Sequence, residues 1–176
     1  MEDQNKVIAF FKEINFQLDK NNFEHRLIAQ KMVYLLKQKG ILFRYPYNLY
    51  VRGPYSPALA SEYYSNPEDF IDLHSDATLE EDERTCIHNL DELFEKRASL
   101  LEIGATYAYL AYEHNVDPQR SFRIVKKMKS FYSNDQVVRG INKAKQFLFI
   151  PSPEDIRALD SELKMWQNAS IRSMRH

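Results

Sequence analysis

Residues 26–64 read RLIAQKMVYLLKQKGILFRYPYNLYVRGPYSPALASEYY, and this block decides the fold. Its first part repeats apolar residues at helical spacing, with Leu27, Met32, Leu35 and Leu36 on one stripe that Phe23 extends backwards. Gly40 then suits the left-handed position that closes a helix. From Ile41 to Arg52 the aromatics and Pro46 are poor helix formers. Tyr47, Leu49 and Val51 alternate there with Asn48, Tyr50 and Arg52, the period of a short strand. Gly53-Pro54 imposes a turn. Ser56-Pro57 supplies an N-cap followed by proline at the first helical position, so a second helix starts at once.

The same grammar recurs outward from this block. Upstream, Val7, Ile8, Phe11, Ile14 and Leu18 mark a first helix. Downstream, Thr78 with Glu81 has the spacing of a capping box for an acidic helix bearing Ile87, Leu90 and Phe94. The next helix carries Leu100, Leu101, Tyr107 and Leu110, and its Gly104, Ala105 and Ala108 would admit a close neighbour. Asp117-Pro118 opens a basic helix, and Ser133-Asn134-Asp135 offers caps for another. Ser152-Pro153 opens a last one, with Glu154 and Asp155 suiting its dipole and Ile156, Leu159, Leu163 and Trp166 forming an apolar stripe. The expected architecture is mainly α: a compact domain of about eight helices with a small β-hairpin near residues 47–55. Residues 1–176 read as a single domain. The polar stretch 65–82 is the one plausible connection, exposed, between N-terminal helices plus hairpin (1–65) and a C-terminal helical bundle (78–176).

Composition narrows the function classes. Hydrophobic residues at 44% and charged ones at 28% are globular usage, and four glycines are too few for glycine-built loops. The lone Cys86 cannot form an internal disulfide, which suits a reducing compartment. The N-terminal residues lack the pattern of a signal peptide, and no apolar run would span a bilayer, so a cytoplasmic protein without membrane partners is expected. Dinucleotide, P-loop, zincin, nucleophile-elbow and CxxC motifs are missing. The histidines His25, His74, His88, His114 and His176 include no i, i+4 pair for a metal. His114, near a helix end, is expected to act as a cap. No catalytic residue, metal or cofactor is assigned, and the expectation is a protein that is not an enzyme.

Charge is unevenly spread. Segment 26–52 holds six basic residues and no acid; 66–102 holds twelve acidic and three basic; 118–149 holds eight basic and only Asp135. These blocks are read first as solvated faces that neutralise one another, and alternatively as basic patches for nucleic acid or an acidic partner. Within 26–52, Gln30 and Lys31 are expected at the wet edge of their helix. Tyr47, Tyr50, Arg52 and Tyr55 would share one rigid corner, an aromatic and cationic surface of the kind found at protein hot spots or stacked bases. They are the candidate partner-binding residues.

QKMVYLL followed by YVRGPYSPALA resembles the signature of the YwgA-like and Panacea (SocA-like antitoxin) family of small prokaryotic and phage proteins. LLEIGATYAYLAYEHNVD and RIVKKMKSFYSNDQVVRGINKAKQFL continue the likeness, so it spans roughly residues 26–148. The resemblance implies an antitoxin or adaptor of a toxin–antitoxin or phage-related system, acting through a protein partner, and it brings no catalytic residues. A nucleic-acid-binding regulator using segments 26–52 and 118–149 is the alternative, and an unrecognised enzyme is the third reading. No oligomeric state follows from the sequence.

Overall fold

A computed structural model describes residues 2–173, and among these the chain forms nine α-helices and one two-stranded antiparallel sheet. In order they are α1 (Glu2–Glu13), α2 (Phe23–Lys39), β1 (Asn48–Tyr50), β2 (Gly53–Tyr55), α3 (Pro57–Ser65) and α4 (Pro67–Ile71). Then follow α5 (Glu81–Phe94), α6 (Ala98–Ala108), α7 (Pro118–Met128), α8 (Asn134–Leu148) and α9 (Pro153–Ser173). A single π-helical turn, Tyr109–Glu113, continues α6. His114 closes that turn through its backbone N–H to Tyr109 O, and its ring lies 4.4 Å from the Tyr109 ring. No described helix is long and apolar enough to cross a membrane.

Local chemistry sets most boundaries. Asn22 Oδ1 accepts the N–H groups of Glu24 and His25 at the start of α2, and Gly40 (φ 112°) ends it with its N–H on Leu36 O and Lys37 O. Ser56, Asp117 and Ser133 cap α3, α7 and α8 through their side chains. The acidic helix starts later than the Thr78 spacing suggests. The chain stays extended to bury Leu79, so the cap falls at Glu80, whose N–H donates to Glu83 Oε2.

The hydrophobic core runs from Val7 to Leu148 without a break. At its centre α6 packs between α2 and α8. A Cβ on Gly104 would lie 2.9 Å from Gly140 O, and one on Gly140 would lie 2.6 Å from Ile103 Cγ2. Backbone therefore meets backbone at this crossing, as the small residues of α6 suggest. Stretch 65–82 is mostly exposed, as expected, but it is not structureless. It folds α4, buries Phe70, and is tied to α1 by Ser75 Oγ on Asn5 O, Asn5 Nδ2 on Asp76 and Gln4 Nε2 on Asp69. The last helix differs from all the others: the described side chains of α9 are exposed on every face.

Candidate functional site

Two buried residues of α2 build the corner from behind. Gln30 Nε2 donates to Ser56 O (3.0 Å) while its Oε1 accepts the Ser56 N–H (2.9 Å), a two-point clamp on the chain leaving the hairpin. Lys31 Nζ donates to Pro54 O at 2.7 Å. These residues therefore do not sit at a wet edge. The hairpin covers their face of α2, and unpaired backbone carbonyls there would be costly without such donors.

A third donor comes from the end of α7. Lys129 Nζ donates to Val51 O and to Glu102 Oε1, both at 2.8 Å, and neither Lys129 nor Glu102 has exposed side-chain surface. Glu102 Oε2 accepts from the Tyr132 hydroxyl at 2.8 Å and from Arg52 Nη1 at 3.3 Å. Gly53 (φ 89°) completes the corner, because a Cβ there would lie 2.6 Å from Thr106 Oγ1. Thus α2, α6 and the α7–α8 connection converge on one turn, and Glu102 ties two cations and a phenol to it.

Burial lowers the Lys31 pKa to about 7; Glu102 partly opposes this, and Lys129 and Arg52 add to it. Burial, followed by the bond to Glu102, pushes Tyr132 up to about 12. The Cys86 thiol is raised to about 11, mainly by burial, so it stays protonated at neutral pH and packs as a small apolar group.

Arg52 is the outward part of this assembly, with half its side chain exposed. Its guanidinium lies 5.7 Å from the Phe23 ring and 5.3 Å from the Phe131 ring, within cation–π range of both. It divides a cleft into two lobes. One, of about 390 Å³, is bounded by Phe23, Leu27, Arg97, Ser99, Glu102 and Tyr132. The other, about 90 Å³, reaches Arg26, Lys31, Tyr55 and Tyr63.

Of the four corner residues expected from the sequence, three gather here. Tyr50 is exposed, packs edge-on against Tyr55, and flanks Arg52. Tyr47 does not belong to the surface. The extended run before β1 turns Phe43, Tyr45 and Tyr47 inward in strict alternation, leaving Tyr47 8% exposed, its hydroxyl on Gln30 O and its ring against Tyr34. Burial raises its pKa well above the ordinary value. Glu102, Lys129 and Tyr132 escaped the sequence reading. The signal for Glu102 was a lone carboxylate in the otherwise uncharged helix ASLLEIGATYA.

The charge blocks are used differently from expectation. Among the described residues, the acidic segment 66–102 forms ion pairs with the two basic blocks only through Glu102. Most cations of 26–52 are engaged by groups of the same chain. Lys31, Lys37 and Lys39 donate to backbone carbonyls, Arg26 donates to Lys20 O, and Arg44 pairs with Glu2 and Asp3. In contrast, Arg120, Arg123, Lys126 and Lys127 of α7 are exposed and have no carboxylate partner among the described residues. No described cluster of His, Cys, Asp and Glu could hold a metal ion. Compared with known proteins, the chain matches no family model, no curated protein and no solved structure.

Proposed function

We propose that this chain is a cytoplasmic, non-enzymatic protein-interaction module, the antitoxin or adaptor component of a toxin–antitoxin or phage-related system, binding through the Arg52 corner. One observation carries the reading: the hairpin is held from inside by Gln30, Lys31 and Lys129, while Tyr50, Val51 and Arg52 face solvent. A contact surface ordered before binding loses little entropy on association, and arginine and tyrosine beside an apolar cleft are typical anchors. Glu102, with both oxygens engaged by Lys129, Tyr132 and Arg52, has the setting of a structural carboxylate rather than of a base facing substrate. The likeness of RGPYSP and its flanking helices to the Panacea group points the same way.

The test is co-purification of the tagged protein from its host, followed by affinity measurement with the partner recovered in comparable amount. Arg52→Ala and Tyr55→Ala should each weaken that complex by about tenfold or more, near 1.4 kcal/mol. Undiminished affinity in both variants would remove the corner from the interface.

A nucleic-acid-binding regulator is the second reading, supported by the four exposed cations of α7 that have no carboxylate partner among the described residues. Binding through phosphates releases counterions and falls steeply with salt. Replacing Arg123 and Lys127 together by Glu should abolish such binding; an unchanged salt slope would count against this face.

A further inference from the structure

Helix α9 presents Ile156, Leu159, Leu163 and Trp166 to solvent, with Trp166 75% exposed. Their 3-4-3 spacing makes a narrow apolar seam of coiled-coil type. On a helical projection Asp155 and Glu162 border one side of that seam and Asp160 the other, whereas Arg157 and Lys164 fall towards the back. Two such helices packed seam to seam would press acidic borders together in either direction, which opposes self-pairing. The seam instead matches an apolar groove rimmed by cations.

The Arg52 cleft is such a groove. Its walls include Phe23, Leu27 and Tyr132, and its rim carries Arg26, Arg52 and Arg97 against one acid, Glu24, the lining Glu102 being engaged by Lys129, Tyr132 and Arg52. Arg97 is exposed and has no carboxylate partner among the described residues. The larger lobe, about 390 Å³, has room for an indole ring. In this structure the seam does not lie in its own cleft, because the described side chains of α9 are exposed on every face. Helix α9 departs beside the C-terminal end of α2, where Lys39 Nζ holds Phe147 O and Phe149 O, whereas Phe23 and Leu27 lie at the opposite end. Seventeen helical residues separate those ends by about 25 Å, so the Ile156 end of the seam, about 5 Å along α9, stays far from Phe23 of its own chain.

We propose that the Ile156–Trp166 seam of α9 docks into the Arg52 cleft of a second copy of this chain, reciprocally, closing a two-fold dimer. The inference rests on the reading of that cleft as a protein-binding face, and names its occupant as an acid-bordered amphipathic helix. Reciprocal docking is isologous, so two contacts form and the assembly stops at two.

Trp166 is the only tryptophan, so its fluorescence reports the seam directly. The experiment is sedimentation equilibrium of the full chain over a dilution series, with emission recorded on the same samples. A dimer is expected, with blue-shifted emission that moves red as dilution produces monomer. Leu163→Asp on the helix and Arg97→Glu on the rim should each weaken the dimer by about tenfold or more. Both positions are exposed, and circular dichroism confirms that each variant keeps its fold. A monomer with solvent-like emission throughout would overturn the proposal. So would a monomer whose blue-shifted emission ignores dilution, since α9 would then lie on its own body. A dimer broken by Leu163→Asp but indifferent to Arg97→Glu and Arg52→Ala would also overturn it, in favour of paired α9 helices. In each of these cases an Arg52-dependent complex with a foreign partner would still stand, so the failure of the dimer is separable from failure of the binding reading.

Discussion

At the scale of residues, Glu102 is the group whose loss should matter most. It is fully buried and neutralises Lys129, which is equally buried. Glu102→Leu would leave that ammonium facing Val51 O alone. Removing one partner of a buried pair typically costs about 3–5 kcal/mol, so a large fall in the urea midpoint is expected, and a near-neutral result would mean that water reaches Lys129. Lys31 makes a different prediction. Its pKa is about 7 in the fold against 10.5 for an ordinary lysine, so between those values the unfolded chain binds the extra proton. This residue's contribution to stability therefore rises as pH increases from 7 towards 10, and its penalty is fully present below 7. Lys31→Met removes the dependence. Denaturation at pH 7.5 and 9 (roughly 1.4 kcal/mol per pH unit at most) should show a steeper pH slope for the parent than for the variant; parallel slopes would contradict the lowered pKa of Lys31.

At the scale of elements, the α6–α8 crossing depends on two glycines placed opposite each other. Gly140→Ala would drive a methyl group towards Ile103 and Leu100 O, and Gly104→Ala would press on Phe94 and Gly140 O. Overpacking of this kind costs about 1–3 kcal/mol, measurable as a lowered melting temperature. How much of each element was legible follows from the range of the forces that set it. Caps are local: Ser56-Pro57, Asp117-Pro118 and Ser133 act on N–H groups within three residues, and the helices start where those pairs stand. The small residues of α6 likewise announced a close neighbour. The burial of Lys31 and Tyr47 depends on which helix the hairpin comes to cover, and no neighbouring residue records that. The same holds for stretch 65–82, whose polar side chains read as solvated but reach Gln4 and Asn5 across the fold.

At the scale of the molecule, one continuous core ends at Leu148 and a long amphipathic helix follows it. The sequence announced α9 as a helix with an apolar stripe; the periodicity that predicts such a stripe says nothing about what lies against it. Because no described side chain of α9 is buried, truncation after Phe149 should leave the melting temperature of the dilute protein nearly unchanged while removing the tryptophan signal. A large loss of stability would place the helix in the core after all. The corner itself has a consequence for how this surface can change over generations. Its internal anchors grip main-chain carbonyls at positions 51, 54 and 56, atoms that every amino acid supplies alike. The side chains at positions 50 and 51 are exposed and take no part in that grip. On the proposed reading of this corner as a binding face, substitutions there would redirect recognition while the support beneath them stays intact, so specificity would drift faster than the fold.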